Sequence, residues 1–240
     1  MALQMAVRLV YPPRCTLCGA TVDDAFGLCG ACWRDTPFIT GLVCDLCGSP
    51  LPGDADAGAV HCDDCLATAR PWSHGRAALR YDANGRRLVL ALKHGDRHDV
   101  ALPAGKWLAR SAQPMLSSGM VVAPVPLHWT RLLARRFNQS ALLSRALACE
   151  TGLAHISDLL VRKRRTRRLK GLDRAARHAA LDGAIRVNPR HLGSLPGARL
   201  LLVDDVMTSG ATFSVAAQIC FAAGAEEVCV LALARAARDA

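Results

Sequence analysis

Four C-x-x-C pairs within the first 65 residues constrain the fold of this 240-residue chain more than any other feature. A C-x-x-C turn brings two thiolates to one point, and two such turns complete a tetrahedral zinc site. Four pairs therefore predict two zinc ions. Grouping in chain order gives two consecutive zinc ribbons, whereas a crossed grouping, first pair with third, stays open at this point. The eight candidate ligands are Cys15, Cys18, Cys29, Cys32, Cys44, Cys47, Cys62 and Cys65.

The spacing of these cysteines favours structural zinc over other cysteine chemistry. A redox C-x-x-C normally occurs singly, at the start of a helix. Four thiolates also leave no open position for the water that a catalytic zinc needs. A segment of this length with few large apolar side chains needs metal binding for much of its stability. We therefore expect residues 1–70 to form a double zinc ribbon domain.

Charge and hydropathy narrow the choice of partner and compartment. The formal charge is +10 and the pI about 9.4, which favours an anionic partner such as phosphate, a phosphorylated sugar or nucleic acid. Aromatic residues make up only 5%, which is little material for a base-stacking platform. No run of about 18 apolar residues is present, so no membrane insertion is expected. The first residues do not resemble a signal peptide, and reduced cysteines fit a cytoplasmic protein.

The rest of the chain, residues 71–240, reads as an α/β domain, with a connecting part over 71–118 and a core over 119–240. Strands and helices alternate, which predicts a parallel sheet wrapped by helices. The main expected elements are an apolar run over 85–94 that fits either strand or helix, a helix over 100–112 broken at Pro103, a long helical stretch over 128–149, a buried strand over 199–203 and a helix over 212–223.

The segment 200–212, LLLVDDVMTSGAT, carries the candidate site. An apolar strand ends in two carboxylates, Asp204 and Asp205, and a short loop leads into a helix. Ligands of open α/β sheets bind beyond the carboxyl ends of the strands. Amides at a helix N-terminus favour a phosphate, while paired carboxylates accept hydrogen bonds from vicinal hydroxyls or hold a divalent metal. One small ligand, a ribose 5-phosphate, satisfies both halves, whereas helix capping alone would explain a single oxygen.

This segment resembles the 5-phosphoribosyl 1-pyrophosphate (PRPP) motif of type I phosphoribosyltransferases. The resemblance implies that Asp204 and Asp205 bind the ribose hydroxyls and that Mg²⁺ accompanies PRPP. It also implies that the loop binds the 5-phosphate. The loop residues are Met207, Thr208, Ser209, Gly210, Ala211 and Thr212.

Nearly the whole chain is similar to the ComF family. The cysteine pairs are followed by RAALRYDANGRRLVLALKHGD, by APVPLHWTRLLARRFNQSALL and then by the candidate site. The resemblance implies a zinc ribbon ahead of a phosphoribosyltransferase-like domain, and in some bacteria a link to natural competence, with other competence proteins as partners. Three positions depart from the family pattern: Arg136 replaces Gly, Leu169 replaces Gln and Ala180 replaces Asn.

A strongly basic stretch spans residues 162–177, with nine Lys or Arg and one Asp. It fits a solvated loop, a loop that closes over pyrophosphate through Arg–phosphate contacts, or a track for the backbone of single-stranded DNA. The candidate contact residues are Arg162, Lys163, Arg164, Arg165, Arg167, Arg168 and Lys170.

Three functions remain open from the sequence. The first is a PRPP-binding protein that handles incoming single-stranded DNA. The second is a phosphoribosyltransferase with an unidentified acceptor, for which no residue stands out as a dedicated base. The third is a zinc-ribbon interaction module on a catalytically silent fold.

Overall fold

The order of the strands places the candidate site near the middle of a parallel sheet. The structure, a computed structural model, describes residues 12–22, 27–54, 58–94, 97–127, 137–162 and 183–236. Within these residues a five-stranded sheet has the order β1-β7-β6-β2-β3, and every neighbouring pair is parallel. A separate antiparallel pair joins β4 to β5. The strands are β1 (His74–Arg80), β2 (Val121–Pro124), β3 (Ala154–His155), β4 (Leu160–Arg162), β5 (Ile185–Val187), β6 (Arg199–Met207) and β7 (Glu227–Arg235).

Six α-helices accompany these strands in the described ranges. The first two are single short turns that begin directly after Cys29 and Cys62. Short 3-10 turns lie at His98–Val100, Gln113–Met115 and Pro189–Ser194. The helices are α1 (Gly30–Arg34), α2 (Asp63–Ala67), α3 (Ala83–His94), α4 (Ala101–Ala112), α5 (Gln139–Thr151) and α6 (Ala211–Ala222).

The two ribbon segments pack on opposite faces of the sheet. Buried residues of the first segment, such as Cys15, join the core cluster formed with α3, α4 and α5. The second segment, including Cys44 and Trp72, joins the cluster formed with α6. The alternation of side chains along β6 explains this division, because Leu200 and Leu202 face one cluster while Leu201 and Val203 face the other. The strands are therefore apolar on both faces.

The expected class is confirmed: a double zinc ribbon precedes a parallel sheet wrapped by helices. The ambiguous run over 85–94 belongs to helix α3, with Leu88, Val89 and Leu92 buried on one face. The boundary at residue 70 stays a prediction. None of the helices in the described ranges is both long and apolar enough to traverse a bilayer.

Three details of the predicted elements are wrong. Pro103 does not break α4, because it lies in the first turn, where a backbone N–H has no partner within the helix. The stretch predicted as helix over 128–149 does not continue through Asn138. This residue is extended, and its side chain caps α5 by accepting a hydrogen bond from the Ser140 amide at 3.1 Å. Residues 128–136 lie outside the described residues. Strand β6 does not end at Val203 but continues to Met207, so both acids lie within it.

Candidate functional site

The eight cysteines of the C-x-x-C pairs form two separate clusters in chain order. In each cluster the sulfur atoms lie within 4.8 Å of one another. The Sγ atoms of Cys18 and Cys29 are 3.6 Å apart, as are those of Cys47 and Cys62. Four sulfurs at about 2.3 Å from a tetrahedral zinc lie roughly 3.8 Å from each other, so both clusters fit a structural zinc ion. The clusters are Cys15, Cys18, Cys29 and Cys32 (the first zinc site) and Cys44, Cys47, Cys62 and Cys65 (the second zinc site). The crossed grouping is thereby excluded.

Glycine is required at one turn of the second zinc site. Gly48 donates its amide to the Cys44 carbonyl at 2.8 Å and has a φ of 67°. A Cβ at this position would lie 2.6 Å from the backbone nitrogen of Ala77 in β1. The turn therefore lies directly against the sheet, which no larger residue would allow.

The acid pair lies near the carboxyl end of β6, just past the last residue that pairs with β2. Asp204 Oδ1 accepts hydrogen bonds from the Ser140 hydroxyl at 2.7 Å and from the Asp205 amide at 2.8 Å. Burial, together with the neighbouring charge of Asp205, raises the pKa of Asp204 to about 7, although the Ser140 hydrogen bond opposes the shift. The Asp204 carboxyl group therefore titrates close to neutral pH.

The second acid is paired with a lysine from another element. Lys93 lies in the last turn of α3, a position where a cation also interacts favourably with the helix dipole. Its Nζ is 3.1 Å from Asp205 Oδ1, and both side chains are largely buried. This ion pair fixes the position of Asp205 and brings α3 to the site.

Both acids line a pocket of about 160 Å³. Thr212, at the start of α6, and Arg162, at the end of β4, lie on its wall together with Lys93. The wall also includes Gln139, which is 2% exposed and whose Nε2 has no hydrogen-bond partner among the described residues. The pocket thus combines two carboxylates, two cations and an amide donor, a set that suits a ligand with both hydroxyl and anionic groups.

The loop after β6 has the shape of an anion-binding turn. Gly210, at the N-cap of α6, has a φ of 79°, and the Ser214 amide donates to its carbonyl at 2.8 Å. Thr208 is exposed, whereas Ser209 is buried. The side chains of Met207 and Ala211 are buried in the α6 cluster, so these two residues offer the site only their backbone. The helix N-terminus points its free amides beyond the strand end.

Some of the residues predicted from the sequence line the pocket, whereas others lie outside the described residues. Asp204, Asp205, Thr212 and Arg162 line one pocket. The other candidates of the basic stretch, Lys163 to Lys170, lie outside the described residues, as do Arg136, Leu169 and Ala180.

Sequence reasoning missed Lys93 and Ser140 as members of this site. Both lie in segments that carried the ComF resemblance, but no spacing rule relates a residue near the end of α3 or the start of α5 to a strand more than 60 positions away. Only the packing of these helices against the sheet brings them together.

Comparisons with known proteins agree with this architecture. Residues 6–66 match the family model described as a double zinc ribbon domain. The DNA utilization protein YhgH of Salmonella typhi is 31% identical over 235 residues, which covers 95% of this chain and 99% of that protein. Competence protein F of Haemophilus influenzae is 29% identical, covering 93% of this chain and 97% of that protein.

A partial similarity extends to solved structures. A glutamine PRPP amidotransferase from B. subtilis has 21% sequence identity and a TM-score of 0.41. The match covers 60% of this chain, which spans only 30% of that enzyme.

Ribbons, sheet and site together define a double zinc ribbon protein with an α/β domain and an acid-pair pocket at the strand ends. Given the relative that is 31% identical over almost the full length of both chains, the chain belongs to the ComF family.

Proposed function

We propose that this protein binds PRPP with Mg²⁺ in the pocket between β6 and α6, and that it handles incoming single-stranded DNA in the cytoplasm. The observation that carries the first part is the convergence of the acid pair, the N-terminus of α6 and two cations on one pocket. The names of the relatives, which refer to DNA utilization and competence, support the second part.

Each part of PRPP has a chemically matched partner in this proposal. Asp204 and Asp205 accept hydrogen bonds from the ribose 2- and 3-hydroxyls, and the amides of residues 208–212 receive the 5-phosphate. Arg162, which lines the pocket at the end of β4, is assigned to the pyrophosphate, while Lys93 forms the ion pair with Asp205. Mg²⁺ would neutralise part of the pyrophosphate charge.

Calorimetric titration with PRPP and Mg²⁺ tests this assignment on the wild type and on the double variant Asp204→Ala/Asp205→Ala. Each lost charged hydrogen bond costs about 1.5–3 kcal/mol, so affinity should fall by roughly a hundredfold or more. Glu226→Ala is the matched control, because Glu226 is an exposed acid beside Arg199 at the opposite end of β6. Equal affinity of the wild type and the double variant would contradict the site.

A second candidate function is transfer of ribose 5-phosphate from PRPP to an acceptor. Arg162 favours it, because a cation beside the acid pair would stabilise the charge on departing pyrophosphate. Detection of pyrophosphate release with candidate acceptors distinguishes turnover from binding alone. Binding without release under all acceptors would leave a ligand-sensing role for the same pocket, and absence of binding would favour an interaction module built on the zinc ribbons.

A further inference from the structure

Two arginines join the second zinc site to the loop after β6. Arg70 donates from Nε to the Cys65 sulfur at 3.3 Å and from Nη1 to the Ser209 carbonyl at 2.8 Å. Arg235 donates from Nη1 to the Thr208 carbonyl at 2.6 Å, and its Nη2 lies 3.8 Å from the Cys47 sulfur. Each guanidinium therefore contacts a zinc ligand through one nitrogen and a loop carbonyl through another.

Both arginines are buried, and the second zinc site supplies much of the charge that makes this possible. The Arg70 side chain is 1% exposed and Arg235 is 5% exposed. A buried cation is destabilising unless it is paired and hydrogen-bonded. Asp64 forms an ion pair with Arg70, and four thiolates around one Zn²⁺ retain two negative charges. The planar fork of arginine reaches two acceptors at once, which the single ammonium of lysine does not do with the same geometry.

Trp72 supports the loop from the same side. Its Nε1 donates to the Leu46 carbonyl, between Cys44 and Cys47, at 2.6 Å. Its ring packs against Phe213 of α6, and the Arg70 guanidinium lies 5.6 Å from the ring centre. A Cβ at Gly210 would come within 2.9 Å of this ring, so the loop and the ribbon are in close contact.

Among the described residues, the first zinc site makes no such contact with the loop. Its described residues pack into the core cluster on the opposite face of the sheet. The protein therefore contains an internal control, with two sites of the same chemistry of which one contacts the loop.

We propose that the second zinc site is a structural part of the ligand-binding loop, with Arg70 and Arg235 as positioning residues. Thiolates held by zinc fix the two guanidinium groups. These groups hold the carbonyls of Thr208 and Ser209, and thereby orient the amides of the loop on the opposite side of the same peptide units. Loss of this zinc releases the loop, whereas loss of the first zinc does not. The effect on PRPP affinity rests on the proposed function, but the coupling between metal and loop does not.

Hydrogen–deuterium exchange of the full chain, followed by mass spectrometry, tests the coupling without any ligand. Arg70→Lys and Arg235→Lys should keep two zinc ions while exchange of the amides of residues 208–212 accelerates by about tenfold to a hundredfold, the range for loss of a charged hydrogen bond. Arg199→Lys, at the other end of β6, is the matched control and should leave the loop unchanged. Unchanged loop exchange in both arginine variants would overturn the proposal.

Cysteine variants test the role of the metal directly. Cys62→Ser, in the second site, should accelerate loop exchange, whereas Cys18→Ser, in the first site, should not. Equal effects of the two variants would refute the assignment to the second site. If either cysteine variant fails to fold, the arginine variants still decide the question.

PRPP titration of the same arginine variants separates this inference from the proposed function. By linkage, PRPP should raise the equilibrium affinity of the second site for zinc, measured by competition with a chelator, by the factor by which that zinc raises PRPP affinity. Faster loop exchange in the variants, with no PRPP binding by the wild type, would support the coupling and reject the proposed ligand. PRPP binding by the wild type, with neither exchange nor affinity altered in the variants, would overturn the coupling alone.

Discussion

Replacement of Asp204 by asparagine should make the protein more stable at alkaline pH while it removes a proposed ligand contact. Asn is isosteric, and its Oδ1 can still accept the 2.7 Å hydrogen bond from Ser140. It carries no charge, so the buried pair with Asp205 no longer contains two carboxylates. Under the proposed function, Asp204 is kept for ligand binding at a cost in stability, which is common for functional groups.

The size of the effect follows from the shifted pKa. The ordinary value is 3.8, and the folded protein raises the pKa of Asp204 to about 7. Between these values the native state holds a proton that the unfolded chain has lost, so stability from this group is present at low pH and is lost as the pH rises through about 7. From about pH 5.5 to about pH 8.5 the wild type should lose about 2 kcal/mol relative to Asp204→Asn.

Urea denaturation of both proteins at these two pH values measures this difference. Titration of the zinc thiolates affects both proteins alike and cancels in the comparison. Asp205→Asn provides a second check, because removal of the neighbouring charge should lower the pKa of Asp204 and shrink the pH effect. Parallel stability profiles for the wild type and Asp204→Asn would refute the claim that the folded protein raises the pKa of Asp204 to about 7.

Three further predictions concern the zinc sites, the basic stretch and the loop. Elemental analysis should find two zinc ions per chain, and a ratio near one would mean that one cluster does not bind metal. Single-stranded DNA should bind weakly through residues 162–177. If roughly five phosphates are neutralised, the slope of log affinity against log salt should be near −3.5. This slope should become flatter when four arginines are replaced by Ala, namely Arg164, Arg165, Arg167 and Arg168. A slope unaffected by these four changes would place the DNA contact elsewhere. Gly210→Ala should destabilise the fold by more than Gly197→Ala. Both positions have positive φ, but only at Gly210 would an added Cβ lie 2.9 Å from the Trp72 ring. Equal losses of stability in urea denaturation would show that the contact with Trp72 is unimportant.

Sequence patterns predicted secondary structure best where the residues of one element alone decide its type. A buried parallel strand must be apolar on both faces, so the residues of β6 alone predict a strand. The apolar pattern predicts its end at residue 203, four residues before its end in the structure at Met207. Charged residues normally end such a strand, and here β7 continues to pair with β6 past Asp204. Periodicity did not distinguish helix from strand over 85–94, because a short apolar run fits either one.

The sequence by itself determined the zinc ligands, the α/β class and the acid-pair loop, because each depends on residues close together in the chain. Cys-x-x-Cys spacing and the strand–loop–helix order of 200–212 are local constraints on geometry. Tertiary structure alone decided which cysteine pairs share an ion, which cations reach the acids and how the second zinc site contacts the loop. Arg70 and Ser209 are 139 positions apart, and Arg235 and Cys47 are 188 apart. Contacts of this kind arise from the packing of one ribbon onto each face of the sheet, and no local pattern encodes them.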